Sequence, residues 1–202
     1  MKIGFFGGTF DPIHIGHIHL ALQMLEIHHL DQVVFCPASV SPYKQGSPPQ
    51  VAAKHRQKMV ELAIHPIELF SFCEWEITRP GPSFTIDTLK GLSDQTKAEK
   101  KEIHWHLILG EDALVDFASW KDVEELVALA PPLIGSRLIP SFLPPFPSSI
   151  KEIIERGMTK IQMLDISSTY LRKRLLEGKY CGHLLAHNVL DYIQHHQLYL
   201  PR

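Results

Sequence analysis

Gly7-Gly8-Thr9-Phe10-Asp11-Pro12-Ile13-His14-Ile15-Gly16-His17 follows directly on the short apolar run Ile3-Gly4-Phe5-Phe6. The stretch reads as a strand that ends at two glycines and gives way to a helix carrying two histidines. Where a strand turns into a helix, the first backbone N–H groups lack partners in the chain and the helix end carries partial positive charge. Such a turn is an anion site. His14 and His17 lie three residues apart, so they share one helix face and converge on one anion. No Gly-Lys-Ser/Thr follows, which excludes the common phosphate loop. Nor do Gly4, Gly7 and Gly8 fall at the offsets of the dinucleotide fingerprint. Histidine stands where the common loop has lysine.

The rest of the chain sets bounds on what this turn serves. At 202 residues the length fits one domain with a sizeable core. With 45% hydrophobic and 21% charged residues the composition is that of a folded protein. A net charge of -2 gives no global basic field, so nucleic acid is not an expected partner and a nucleotide needs a local cluster of donors. Cys36, Cys73 and Cys181 form no Cys-x-x-Cys pair and suit free thiols in a reducing cytoplasm. No leader is visible before the first strand, and no apolar run reaches the roughly 20 residues of a membrane helix. None of the 13 histidines has zinc-site spacing, so no metal ligands are expected among side chains. All but His14 and His17 read as structural or surface residues.

Hydrophobic spacing predicts strands at about 2–6, 32–36, 69–72, 103–109, 133–136 and 161–164. Helices are predicted at 15–27, 52–64, 83–92, 113–117, 123–129, 150–156, 167–177 and 184–196. In the first helix Ile18, Leu22 and Leu25 are expected to face the core, and Met59, Val60 and Ala63 in the second. The charged run 97–102 reads as a solvated linker and 139–149 as an irregular proline-rich loop. Strands alternating with helices predict an α/β, Rossmann-like, doubly wound parallel sheet with helices on both faces. The whole chain, 1–202, reads as one domain with a small helical C-terminal extension, 164–202. Gly7-Gly8, the loop after Cys36, Gly110 and Ser167 all fall at predicted strand ends. One rim can gather them, and ligands of such sheets lie beyond the carboxyl ends of the strands.

Ile166-Ser167-Ser168-Thr169-Tyr170-Leu171-Arg172 follows a predicted strand and starts a helix, so its hydroxyls and N–H groups form a second anion site. Arg172 lies one turn in, where its fork reaches a phosphate. Taken alone, this is also how a serine cap with a solvated arginine reads. Together with the first stretch, Ile-Ser-Ser-Thr-x-x-Arg resembles the paired signatures of the nucleotidyltransferase superfamily that contains the nicotinate-mononucleotide adenylyltransferases. Ser83-Phe84-Thr85-Ile86-Asp87-Thr88-Leu89 is similar to that family's Ser-Tyr-Thr-x-Asp-Thr-Leu. Gly110-Glu111-Asp112 with Phe117 and Trp120 is similar to its Gly-x-Asp…Phe-x-x-Trp. The resemblance covers nearly the whole chain. It departs at Ser41-Pro42-Tyr43-Lys44, where the family has Pro-Pro-His-Lys, and at Cys181-Gly182-His183, where a Val-Pro is usual.

The resemblance implies transfer of the adenylyl group of ATP to nicotinate mononucleotide, giving deamido-NAD and pyrophosphate. By it, His14, His17 and Arg172 act on the phosphates at the reaction centre. Gly8, Thr9, Phe10, Lys44, Gly110, Asp112, Ser167, Ser168 and Thr169 bind ATP, and Thr85, Trp120 and Lys121 bind the pyridine mononucleotide. Asp112 is expected on the ribose hydroxyls and Trp120 on the nicotinate ring, though by residue type Trp120 fits a core position and Lys121 a solvated one. Mg²⁺ is expected to ride on the ATP phosphates. The alternatives are a pantetheine-phosphate adenylyltransferase and a non-catalytic nucleotide-binding module. Oligomeric state is left open.

Overall fold

Successive residues of the strand centres, Gly4-Phe5-Phe6, Val33-Val34-Phe35 and Leu107-Ile108-Leu109, are all buried. A strand without a polar face has to lie in a sheet covered on both sides. The computed structural model describes residues 1–40, 48–79, 81–137 and 145–200. In order, its elements are β1 (Lys2–Gly8), α1 (Ile15–Ile27), β2 (Gln32–Pro37), α2 (Ala53–Ile64), β3 (Phe70–Phe72), α3 (Trp75–Thr78) and α4 (Thr85–Ala98). After them come β4 (His104–Gly110), a 3-10 turn at Glu111–Ala113, α5 (Leu114–Phe117), α6 (Val123–Leu129), β5 (Pro132–Ser136), α7 (Ser148–Gly157), β6 (Met158–Lys160), α8 (Ser168–Leu176) and α9 (His187–His195).

The sheet runs β3-β2-β1-β4-β5-β6 and every pairing is parallel. Strand order reverses between β1 and β4, so a crevice opens beyond their carboxyl ends, at Gly8 and Gly110. On one face Leu20, Met24, Met59, Leu171 and Val189 join α1, α2, α8 and α9 into a core. On the other, Ile86, Leu89, Phe117, Leu126 and Ile154 do the same for α4 to α7. The helices α8 and α9 are thus part of the first layer.

Four expectations need correction. In α1 the buried stripe is Leu20, Ala21, Met24 and Leu25, while Ile18 and Leu22 are only partly covered. The helix expected over 83–92 is α4, which starts at Thr85 and runs through Lys97 to Ala98, into the expected linker; Ser83 lies before it, its Oγ accepting the Ser39 N–H at 3.0 Å. The last strand is β6 at Met158–Lys160 rather than 161–164, pairing Ile134 with Met158 and Ser136 with Lys160. The helix α7 begins at Ser148, inside the stretch expected to be irregular. The short α3 had no counterpart in the periodicity, because four residues hold barely one helical turn.

Candidate active site

The β1–α1 turn is built on an aromatic floor. Phe10 is 2% exposed and packs edge-on against Phe6 at 5.5 Å between ring centroids and against His17 at 5.1 Å. A Cβ on Gly8 would sit 2.9 Å from the Phe10 ring, so glycine is what lets the loop fold over its own phenylalanine. The loop's left-handed residue is Phe10 itself, at φ 48°, a conformation that side chains other than glycine, Asn or Asp adopt at a cost. The Phe10 ring therefore belongs to the core, not to the open side of the loop.

His14 is the residue before α1 and is buried; its ring stacks on that of His17 at 3.7 Å. Burial lowers its pKa from 6.5 to about 4, so at neutral pH the ring is uncharged. It is not an electrostatic substitute for lysine. Its Nδ1 is buried with no hydrogen-bond partner. The His17 Nδ1 accepts the His14 backbone N–H at 3.2 Å, which puts the proton of a neutral imidazole on Nε2 as a donor.

The second motif closes on the first. Ser167 caps α8, its Oγ accepting the Tyr170 N–H at 3.1 Å. Ser168 donates to the Pro12 carbonyl at 2.9 Å. The Ser168 proton is thus spent on the backbone, whereas Ser167, an acceptor here, keeps its O–H as a donor beside Thr169 and the backbone N–H groups of this helix start. Arg172 donates from Nη1 to the Asp11 carbonyl at 2.7 Å and from Nη2 to Thr169 Oγ1 at 3.1 Å. A guanidinium has five N–H groups, so each terminal nitrogen keeps a second one for a phosphate.

Gly110 ends β4, and a Cβ there would lie 2.6 Å from Asp112 Oδ1, so the glycine admits that exposed carboxylate to the rim. Nearby, Trp120 packs edge-on against the buried Phe117 at 5.0 Å and remains partly exposed. Lys121 bonds both Asp87 oxygens, at 2.9 and 2.8 Å, and its ammonium lies 4.9 Å over the Phe84 ring. That spans from the start of α6 to the first turn of α4, where Thr85 sits. The Lys121 charge is balanced by Asp87. Lys44 lies outside the described residues.

Three residues were missed. Asp11 is 3% exposed and accepts the Tyr199 hydroxyl at 2.5 Å and the Gln50 N–H at 2.8 Å, with Arg172 Nη1 at 3.8 Å. Arg56 is 1% exposed and donates to the carbonyls of Thr9, Ala38 and Ser39 at 2.7, 2.6 and 2.9 Å, tying the β1 loop to the β2 loop. Glu76 is buried, which raises its pKa, and it accepts from Thr88 at 2.9 Å beneath the start of α4. Among the described residues no group of three or more His, Cys, Asp or Glu could hold a metal ion, and no helix is long and apolar enough to cross a membrane.

Such an arrangement brings the hydrogen-bond donors of two strand-to-helix turns together at a sheet crevice. A family model described as Cytidylyltransferase-like matches residues 5–174. A probable nicotinate-nucleotide adenylyltransferase of Synechococcus sp. (strain JA-3-3Ab) is 37% identical over 201 residues, covering 98% of this chain and 95% of its own. Another, of Clostridium perfringens (strain 13 / Type A), is 38% identical over 205 residues and covers 98% of each chain. Among solved structures, the Plasmodium falciparum nicotinic acid mononucleotide adenylyltransferase complexed with APC has a TM-score of 0.73 at 20% identity, covering 98% of this chain and 96% of that one. Its complex with NaAD has a TM-score of 0.74 over 98% and 97%. At that identity the structural likeness carries the fold.

Proposed function

The chain belongs to the nicotinate-nucleotide adenylyltransferase family of Cytidylyltransferase-like nucleotidyltransferases, and from that premise we propose how it transfers the adenylyl group of ATP to nicotinate mononucleotide. A phosphate oxygen of the mononucleotide attacks the α-phosphorus in line, the bond from that phosphorus to the bridging oxygen breaks, and pyrophosphate leaves with the electron pair. The products are deamido-NAD and pyrophosphate. Two polyanions must meet, so catalysis is positioning and charge stabilisation.

The observation that carries this reading is the joining of the two anion-binding turns: Ser168 and Arg172 of α8 bond the backbone of Pro12 and Asp11, in the loop that leads to His14 and His17. In it His17 donates from Nε2 to the α-phosphate as charge builds there, and neutral His14 supports the polyphosphate. Arg172, Thr169, the backbone at Gly8, Thr9, Phe10, Ser167 and Ser168, and Lys44 hold the rest. Gly110 and Asp112 take the ribose. Thr85 and Trp120 receive the pyridine, and Lys121, its charge balanced by Asp87, closes the edge of that site. Mg²⁺ demands hard oxygen ligands, which the histidine-rich turn does not supply and a triphosphate does; it would neutralise charge on the β and γ oxygens. The whole chain acts as one catalytic unit, and a cytoplasmic location fits its free thiols.

The relatives carry the nicotinate-nucleotide name across 95% and 98% of their own length, and nothing favours the pantetheine-phosphate or non-catalytic readings. The test is pyrophosphate release from ATP and Mg²⁺ with nicotinate mononucleotide, nicotinamide mononucleotide or phosphopantetheine as acceptor. Release is expected with the nicotinate form and at a far lower kcat/KM with the amide, whose N–H₂ finds donors where it needs acceptors. Equal use of both mononucleotides would overturn the acid-specific reading, and release only with phosphopantetheine would overturn the whole.

A further inference from the structure

Tyr199 lies 188 residues from Asp11 in sequence, yet its hydroxyl reaches the Asp11 carboxylate at 2.5 Å. It is buried, and its backbone sits at φ 58°, a conformation a bulky side chain keeps only when its surroundings over-determine it. Asp11 has further partners: the Gln50 N–H on the same carboxylate, Arg172, which hydrogen-bonds the Asp11 carbonyl and stands at ion-pair distance, 3.8 Å, from its Oδ2, and the charge of the buried Arg56. Gln50, Arg172 and Tyr199 also line one cavity of about 630 Å³, together with Thr169 and Lys173. The network therefore borders open space rather than the middle of a core. A hydroxyl that only filled a core site would not need to meet the one carboxylate that orients the arginine at the phosphate turn.

Resting on the adenylyl-transfer reading, we propose that Tyr199 is a positioning residue for that reaction. Through Asp11 it fixes the direction of the Arg172 fork and the approach of the loop to His14 and His17. It touches neither substrate. Asp11 is the relay: its carboxylate is shared between the tyrosine hydroxyl and the arginine, so removing the hydroxyl leaves the carboxylate to reorient and the fork to follow.

Tyr199→Phe keeps the ring and deletes only the hydroxyl. The expected result is a 10- to 100-fold loss of kcat/KM for ATP, the size of one hydrogen bond to a charged group, with KM for the mononucleotide unchanged. A merely structural tyrosine would reduce the folded fraction and leave both KM values as they are. Tyr192→Phe is the control: the same change in the same segment, on a hydroxyl bonded to His55 at 2.9 Å, should leave turnover intact. In the Asp11→Asn background Tyr199→Phe should add little, because both act through one carboxylate. Additive losses, equal effects on both substrates, or an unchanged Tyr199→Phe enzyme would each overturn the proposal. Binding of ATP alone, followed by calorimetry, reads the clamp apart from turnover. Wild-type protein that binds ATP but releases no pyrophosphate would defeat the adenylyl-transfer reading, while weaker ATP binding by Tyr199→Phe would still support the clamp.

Discussion

At the end of β1 Asp11 and His14 are buried and the candidate site is fastened across the chain, whereas at the end of β4 the candidate residues stand nearer the surface. Asp11 and His14 are 3% and 6% exposed, and Asp11, Arg172 and Tyr199 are joined across most of the chain. Asp112 is exposed, Trp120 is partly so, and the Lys121–Asp87 pair is about 40% exposed on each side. The difference follows from the ligands proposed for each end. A triphosphate concentrates charge, and donors aimed at it gain most when they are fixed beforehand in a site that excludes water. A flat pyridine ring and a ribose are recognised by stacking and a shared carboxylate, which tolerate an open wall.

If that contrast is right, damage at the buried end should appear in turnover and damage at the open end in substrate affinity. The largest effect is expected from His17→Ala: kcat falls about 100-fold or more, as for loss of one preorganised donor, while ATP binding weakens less. A kcat within 10-fold of the original would break the comparison at its strongest point.

Next comes the protonation of His14. Its unfolded form takes up a proton near pH 6.5 and its folded form only near pH 4, so the unfolded state binds more protons between them. Stability is undiminished by this group above pH 6.5 and falls as pH drops toward 4, by up to ~3 kcal/mol. Thermal unfolding at pH 7.5 and 4.5 should therefore show a smaller loss in His14→Gln than in the original chain. His28 and His106, also lowered by burial, retain their share of the slope. An unchanged slope in the variant would mean that His14 is not held neutral.

The smallest effect belongs to the open wall. Trp120→Ala should raise KM for the mononucleotide by the equivalent of roughly 1–3 kcal/mol, the worth of one ring stack, and leave KM for ATP nearly constant. Matching rises in both would identify Trp120 as support for Phe117 and sharpen the contrast by removing it from the site.

Local patterns made much of this molecule readable before its coordinates. The bounds of α1, the parallel sheet and the strand ends carrying Gly8 and Gly110 follow from apolar runs and turn residues, which are properties of neighbours in sequence. The missed parts are properties of neighbours in space. Arg56 lies in a polar helix and reads as surface; its burial comes from three carbonyls, of Thr9, Ala38 and Ser39, that only the fold assembles. Asp11 received no role from the sequence because its partners are 39, 161 and 188 positions away. Ile161–Leu164 imitates a strand by composition, yet β5 is already paired by Met158–Lys160 as the chain leaves α7. Lys121 was assigned to the mononucleotide by resemblance and reads as solvated by residue type; Asp87, one helix away, pairs with its charge.

The tie between Asp11 and Tyr199 also has a consequence in time. Synthesis at about 5–20 residues per second leaves the first half of this clamp without its partner for roughly 10–40 s. Contacts this distant in sequence are the slow ones to form. Until Tyr199 has been made, the loop bearing the histidines has no tyrosine to hold its aspartate, so the clamp on Asp11 is among the late contacts of this fold.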